Sequence, residues 1–403
     1  MAGSEFRPSL FCISTYEKGQ DFLREAARLG CEVRLLTVDK LADADWPKDC
    51  LTEFLTMPEA LTCEQLLNTV MYFARSRRID RIVALDEFDL AGAALIREHM
   101  RLPGLGESET RFYRDKLAMR AQAKKMGVKV PEFTGVFNHD ALREWMNATP
   151  GPWLLKPRMN ASAIGIRTIA DADELWPILE QLGDLQSHYV LERFVAGEVF
   201  HCEAVTWKGK VVFAQPFAYG RPPMQTMHQG GVFTTRTLAL NSGDGRAILK
   251  VHQQLLKALG MDSGVTHSEF IKSADDGEFY FLETAARVGG AYIAEACEFA
   301  TGINPWKEWA AIEAALAQSE EYKLPGVKRE FVGSVISLAK QDEPDLSGYT
   351  DTEIVMKLHK PHHAGILLRS KDERRMKDLL ESYAVRFLED FCAVLPPPDK
   401  PTS

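Results

Sequence analysis

The stretch Val265-Thr-His-Ser-Glu-Phe-Ile271, answered by Phe279-Tyr-Phe-Leu-Glu283 across Lys272-Ser-Ala-Asp-Asp-Gly277, decides the reading of this chain. Two apolar runs flank a turn-rich segment, the pattern of an antiparallel hairpin. With the turn centred on Asp275-Asp276, pairing sets Glu269 opposite Glu283, give or take one position. Directly opposed like charges destabilise a sheet. At about 4 Å and an effective dielectric near 20 their repulsion is on the order of 4 kcal/mol. A fold keeps such a pair most readily where a cation sits between the carboxylates, and all-oxygen ligands suit magnesium or manganese. Four residues past Glu283 stands Arg287, then Val-Gly-Gly. Two carboxylates, a fork-shaped cation and open glycine backbone point to chemistry on phosphate.

Working outward, Pro152-Trp-Leu-Leu-Lys156 reads as a strand ending in lysine, followed by the small-residue loop Ala161–Gly165, which includes Ser162. Such a loop can turn backbone N–H groups onto phosphates, with Lys156 as a point charge. The other reading is a surface hairpin with a solvated lysine. The loop lacks Gly-x-x-x-x-Gly-Lys-Ser/Thr, so it is not a Walker A loop. Glu192 and Glu198 flank Arg-Phe-Val-Ala-Gly; they can serve a nucleotide or be solvated strand-end carboxylates. Lys116 alone is an ordinary lysine at a helix start.

In sequence order, Asp-Lys at 115–116, Leu-Leu-Lys-Pro-Arg at 154–158, Glu-Arg-Phe-Val-Ala-Gly-Glu at 192–198, His-Ser-Glu-Phe at 267–270 and Glu-Thr-Ala-Ala-Arg-Val-Gly-Gly at 283–290 resemble the ATP-grasp superfamily. The resemblance implies an α/β (α+β) ATP-grasp fold. Its expected parts are a βαβ domain over 1–112, a lid and first nucleotide-binding part over 113–196, a catalytic core over 197–325, and an α+β closing unit with tail over 326–403. It implies ATP as ligand, with Lys116, Lys156, Ser162 and Gly165 toward phosphates, Glu192, Phe194 and Val195 toward adenine, and Glu198 toward ribose. Glu269 and Glu283 would bind Mg2+ or Mn2+, while Arg287 and Lys156 would carry catalysis. The family usually reads Glu-x-Asn-x-Arg where this chain has Ala285, which leaves a second metal's coordination open.

The activity so implied is ADP-forming ligation: a carboxylate is activated as an acyl phosphate, then joined to an amine. Within the superfamily the chain looks most like L-amino acid ligases and carnosine-synthase-type enzymes. A biotin-carboxylase-like enzyme and a catalytically silent ATP-binding protein are the alternatives. Expected partners are a small carboxylate and an amine, with Arg221, Met227 and His228 of the long loop 219–235, Arg287, Gly289 and Gly290 lining their pocket. The loop residues read equally well as mobile surface. His267, two residues from Glu269 and on the same strand face, can orient a carboxylate or be a packed core histidine, the latter being the expectation; Cys202 is expected to be a small apolar filler, and His362-His363 no metal site.

The whole chain agrees with this. Its 403 residues allow two or three domains, and a net charge of −9 with interspersed signs does not suggest a nucleic-acid partner. Strand and helix signals alternate over the first hundred residues, with a strand at 10–14, a helix at 21–29 stopped by Gly30, and strands at 32–38 and 81–85. That is a βαβ pattern without Gly-x-Gly-x-x-Gly, so a dinucleotide fingerprint is missing. This region also offers a surface for a homodimer. Seven scattered cysteines without a Cys-x-x-Cys pair argue against disulfides and structural zinc. No run of eighteen apolar residues and no secretory pattern is seen, so no membrane span and a cytoplasmic location are expected. The opening Met-Ala-Gly-Ser-Glu-Phe is set aside from fold reasoning.

Overall fold

A parallel sheet of four strands opens the chain: β1 (Ser9–Ser14), β2 (Glu32–Val38), β3 (Glu53–Met57) and β4 (Arg81–Ala84), in the order β3-β2-β1-β4. In the computed structural model, residues 6–161, 163–224, 226 and 231–393 are described. Strands β1, β2 and β4 are apolar runs because both faces are covered. Phe11, Ile13, Leu36 and Ile82 pack into one layer, and Leu10, Cys12, Val33, Leu35 and Val83 into another. The helix Gln20–Arg28 buries Phe22, Leu23 and Ala26, a spacing that puts all three on one face.

A second sheet, antiparallel, is built from β5 (Phe133–Gly135), β6 (Trp153–Pro157), β7 (Arg167–Ile169) and β8 (Tyr189–Arg193), ordered β5-β8-β6-β7. The chain then enters an eight-stranded antiparallel sheet. Its strands are β9 (Gly197–Trp207), β10 (Lys210–Tyr219), β11 (Phe233–Thr237), β12 (Gly264–Ser273), β13 (Phe279–Ala285), β14 (Phe331–Leu338), β15 (Ile354–Lys357) and β16 (His363–Ser370). Their order is β13-β12-β9-β10-β11-β14-β16-β15. The strands of the closing region thus continue the central sheet instead of forming one of their own, joined by β14 pairing with β11.

Side-chain alternation gives this sheet two distinct faces. Cys202, Ala204 and Ala218 point to the helix Gly243–Leu259, whose Ile248, Leu255 and Leu256 cover them; Cys202 is the apolar filler expected. Val335, Ile366 and Leu368 meet the helix Glu373–Asp390. The opposite face carries the odd-numbered residues His201, Glu203, Tyr219, Thr235, His267 and Glu269, joined by side-chain hydrogen bonds.

The parallel sheet is tied to the helix Pro305–Gln318 by the Phe22–Trp309 edge contact at 5.4 Å and by a buried ion pair, Arg81 Nε to Glu313 Oε2 at 2.6 Å. Among the described residues no helix is long and apolar enough to cross a membrane. Removing one partner of a buried pair strands the other charge. Glu313→Ala is therefore expected to cost about 3–5 kcal/mol in urea unfolding, and Arg81→Met combined with Glu313→Leu markedly less. A single-variant cost below about 1 kcal/mol would contradict the assigned pairing.

Candidate active site

The hairpin register is the one the sequence implies: Glu269 lies opposite Glu283, beside an irregularity between Glu269 and Phe270. Each carboxylate has its own protein partners. Tyr219 Oη donates to Glu269 Oε1 at 2.8 Å, and His267 Nε2 lies 3.5 Å from the same oxygen. Burial works to raise the Glu269 pKa, but the His267 and Tyr219 hydrogen bonds hold it below the usual carboxylate range. Lys116 Nζ lies 2.7 Å from Glu283 Oε2. Two opposed carboxylates, one of them already balanced by an ammonium, offer hard oxygen donors of the type that suits magnesium or manganese.

Lys116 is placed by its neighbours. Asp115 caps the helix Lys116–Lys125, accepting from Leu117 N–H at 3.0 Å, and the same carboxylate pairs with Arg158. The Lys116 ammonium also donates to the Asn160 carbonyl at 2.6 Å, at the start of the small-residue loop. One turn along the helix stands Arg120, fully buried. Arg120 Nε donates to Glu192 Oε2 at 2.9 Å, while Lys156 Nζ donates to Glu192 Oε1 at 2.6 Å. Burial and the nearby Arg120 push the Lys156 pKa down, and Glu192 opposes them. Burial would raise the Glu192 pKa, yet the two cations hold it low. Both oxygens of Glu192 are thus engaged beneath Lys156. Beyond it, Phe194 N–H donates to Pro152 O at 3.0 Å. Val195 is buried, and no hydrogen bond within the described residues takes its amide or carbonyl. Its side chain packs with Val199, Tyr219 and Ile271, with Leu282 alongside. Glu198 is exposed, opposite Lys272.

Arg287 follows the hairpin and is held by Glu87, just past the end of β4: Nε donates at 3.1 Å and Nη2 donates to the same oxygen. The other oxygen of Glu87 accepts from Arg114 Nη1 at 3.1 Å. Burial works to raise the Glu87 pKa, but the Arg287 and Arg114 charges hold it at about 2. This links the parallel sheet to the central one. Glu87 was missed in the sequence, although the acidic run Leu85-Asp86-Glu87-Phe88-Asp89 ends a parallel strand, where ligand sites collect.

His267 is not the packed core histidine expected. Its Nδ1 lies 2.6 Å from Glu203 Oε1, which also lies 2.8 Å from His201 Nδ1. Burial works against charge on His267, yet Glu203 and Glu269 lift its pKa to about 10. Burial would raise the Glu203 pKa; the two histidines hold it at about 2. His201, its pKa lowered by burial, has its Nε2 2.8 Å from Thr235 Oγ1. The trio His201, Glu203 and His267 has metal-ligand types within 4.8 Å, but the ring–carboxylate distances are those of charge-assisted hydrogen bonds.

Of the expected substrate residues, Gly289 packs on this trio: a Cβ there would lie 3.0 Å from both Glu203 Oε2 and His267 Nδ1, whereas one at Gly290 meets nothing within 4 Å. The next two residues, Ala291 and Tyr292, have left-handed φ of 51° and 57°. Arg221 makes no ion pair or hydrogen bond with the carboxylate cluster; it lines a cavity of about 280 Å3 with Arg236, Lys377 and Val385 on the helix-covered face. Gly165 has φ 73°, and a Cβ would meet Pro157 at 2.9 Å. Ser162, Met227 and His228 lie outside the described residues.

These sheets have the ATP-grasp fold. Within that class, the structure is similar to an L-amino acid ligase from Bacillus licheniformis, with a TM-score of 0.75, 19% identity, and coverage of 97% of this chain and 99% of that one. In sequence the chain is similar to the L-arginine-specific L-amino acid ligase of Bacillus subtilis, 23% identical over 234 residues, which cover 57% of this chain and 56% of the relative. It is also similar to the alanine–anticapsin ligase of Bacillus subtilis, 24% identical over 255 residues, covering 58% of this chain and 52% of the relative. The matches span about half the length of these curated relatives. No protein-family model matches the chain.

Because the Glu87 pKa lies below the ordinary 4.5, its contribution to stability is fully present above about pH 4.5 and is lost as pH falls through about 2. Glu87→Gln is expected to lower stability at pH 7 and to make the decline between pH 4.5 and 2.5 shallower than in the parent chain, read by urea midpoints across pH. Parallel declines would contradict the Glu87–Arg287 assignment.

Proposed function

We propose that the chain is an ATP-dependent ligase that activates a carboxylate, of the amino-acid class, and joins it to an amine with release of ADP and phosphate. The observation carrying this reading is the in-register Glu269–Glu283 pair with Lys116 on Glu283, beside two further buried cations held by carboxylates, Lys156 by Glu192 and Arg287 by Glu87. The named relatives are ligases acting on amino acids, which supports the substrate class. They also favour amide formation over a carboxylase reaction.

In this reading the carboxylate oxygen attacks the γ-phosphorus, the bond to the β-phosphate oxygen breaks, and ADP leaves. The amine then attacks the acyl carbon, phosphate departs, and the amine loses a proton. Lys156 and Lys116 meet the phosphates as buried point charges. Glu192 fixes Lys156 by its ion pair, and the untaken backbone of Val195 meets the adenine edge over the apolar patch of Val199, Ile271 and Leu282. Glu198 stands at the rim for the ribose. Ser162 and Gly165 belong to the loop over the phosphates. Glu269 and Glu283 would hold Mg2+ or Mn2+, which when bound neutralises phosphate charge. Arg287 presents N–H donors to oxygen charge in both steps, and Glu87 limits its freedom. Gly289 and Gly290, with the left-handed turn that follows, expose backbone toward the substrate; Arg221 lines a cavity on the other face of the sheet, which leaves His228 as the loop candidate for the acceptor side.

The test is magnesium-dependent ADP release against amino acids singly and in pairs, with mass spectrometry of the products. A pair-dependent product equal to both partners minus water is expected, and Lys156→Ala should lower its rate by about 100-fold or more. Bicarbonate-dependent turnover would establish the carboxylase instead. ATP binding without turnover across the panel would establish a silent nucleotide binder, with Ala285 the first position to restore to asparagine.

A further inference from the structure

We infer that His267, clamped by Glu203, is a positioning residue that aims Glu269 at Glu283, so that the His201–Glu203–His267 row is the supporting layer of the cation site. This rests on the proposed reading of the carboxylate pair as that site.

The row is a chain of side chains one layer deep. Glu203 is 1% exposed and receives both imidazoles on a single oxygen, at 2.8 and 2.6 Å. An ionised carboxylate with two ring nitrogens on one oxygen requires each of them to carry a proton. His201 therefore donates through Nδ1, and its Nε2 lies 2.8 Å from the Thr235 hydroxyl, which is also 3.3 Å from the Ala218 carbonyl. His267 donates through Nδ1, and its Nε2 faces Glu269 at 3.5 Å. The strands impose the order: His267 pairs with Glu203 across β12 and β9, while Glu269 pairs with His201 in the same ladder. Across the other edge His267 lies opposite Ala285, whose small side chain leaves the imidazole its place. The backbone of Gly289 closes the row from above, and any Cβ there would press on Glu203 and His267. Tyr219 anchors Glu269 from the third strand. Outer residues of this kind, which orient a ligand without touching the ion, change metal affinity by about 10–100-fold when altered.

The test uses the full chain and Mn2+, with free ion followed by electron paramagnetic resonance, alone and with ADP. ADP affinity in EDTA and thermal midpoints are measured alongside. Glu203→Gln removes the clamp's charge at constant shape, and His267→Ala removes the positioning ring. His267→Gln restores one donor toward Glu269. Glu203→Gln and His267→Ala should each weaken Mn2+ about tenfold or more, with ADP affinity in EDTA unchanged, and His267→Gln should recover part of the loss. Unchanged Mn2+ affinity in either folded variant overturns the inference; should Glu203→Gln not fold, the two His267 variants decide it. Glu269→Gln separates the two levels. If it leaves Mn2+ affinity intact along with the Glu203 and His267 variants, the reading of the carboxylate pair itself has failed. If Glu203→Gln weakens Mn2+ and Glu269→Gln does not, the ion sits within the histidine row and the positioning role is overturned.

Discussion

Two carboxylates held face to face across a hairpin are the constraint on which this structure turns. The ladder fixes Glu269 opposite Glu283 and gives neither the freedom to slip, because a one-residue shift would send every alternate apolar side chain to the wrong face. The surrounding charges can be understood as the response to that fixed repulsion. Lys116 reaches Glu283 from a helix in one part of the chain, and Tyr219 and His267 reach Glu269 from the sheet itself.

The same logic recurs outward. Several buried cations have a carboxylate behind them: Glu192 behind Lys156 and Arg120, Glu87 behind Arg287 and Arg114, Glu203 behind His267. Buried pairs of this sort add little net stability, because desolvation offsets the attraction, but they leave few alternative arrangements for their members. The result is a set of cations held in place by the protein itself, which on the proposed reading lowers the reorganisation needed when phosphate binds. The Arg287–Glu87 bridge gives this arrangement reach, since it joins residues 200 positions apart and couples the parallel sheet to the end of the Glu269–Glu283 hairpin.

What the sequence disclosed follows from how local the signals are. The hairpin register was legible because alternation and turn residues lie within twenty positions of one another. Ordered short motifs supplied the fold in the same way, each weak alone and specific in series. The partners of the charged residues were not legible, because Glu87, Arg120 and Glu203 acquire meaning only from side chains far along the chain. His267 is the instructive case: its shared strand face with Glu269 leaves a carboxylate-orienting role open beside that of a packed histidine, and only the neighbouring strand β9 brings Glu203 to it. The extension of the central sheet by β14, β16 and β15 likewise depends on the pairing of β11 with β14 across nearly a hundred residues, which no local pattern encodes.

The most direct test of the central claim is anomalous diffraction from crystals of the full chain soaked with Mn2+ and ADP. The account predicts a manganese peak between the Glu269 and Glu283 carboxylates, with Lys116 turned away from Glu283. Manganese bound elsewhere, or Glu283 still paired with Lys116 and no peak at the hairpin, would contradict it.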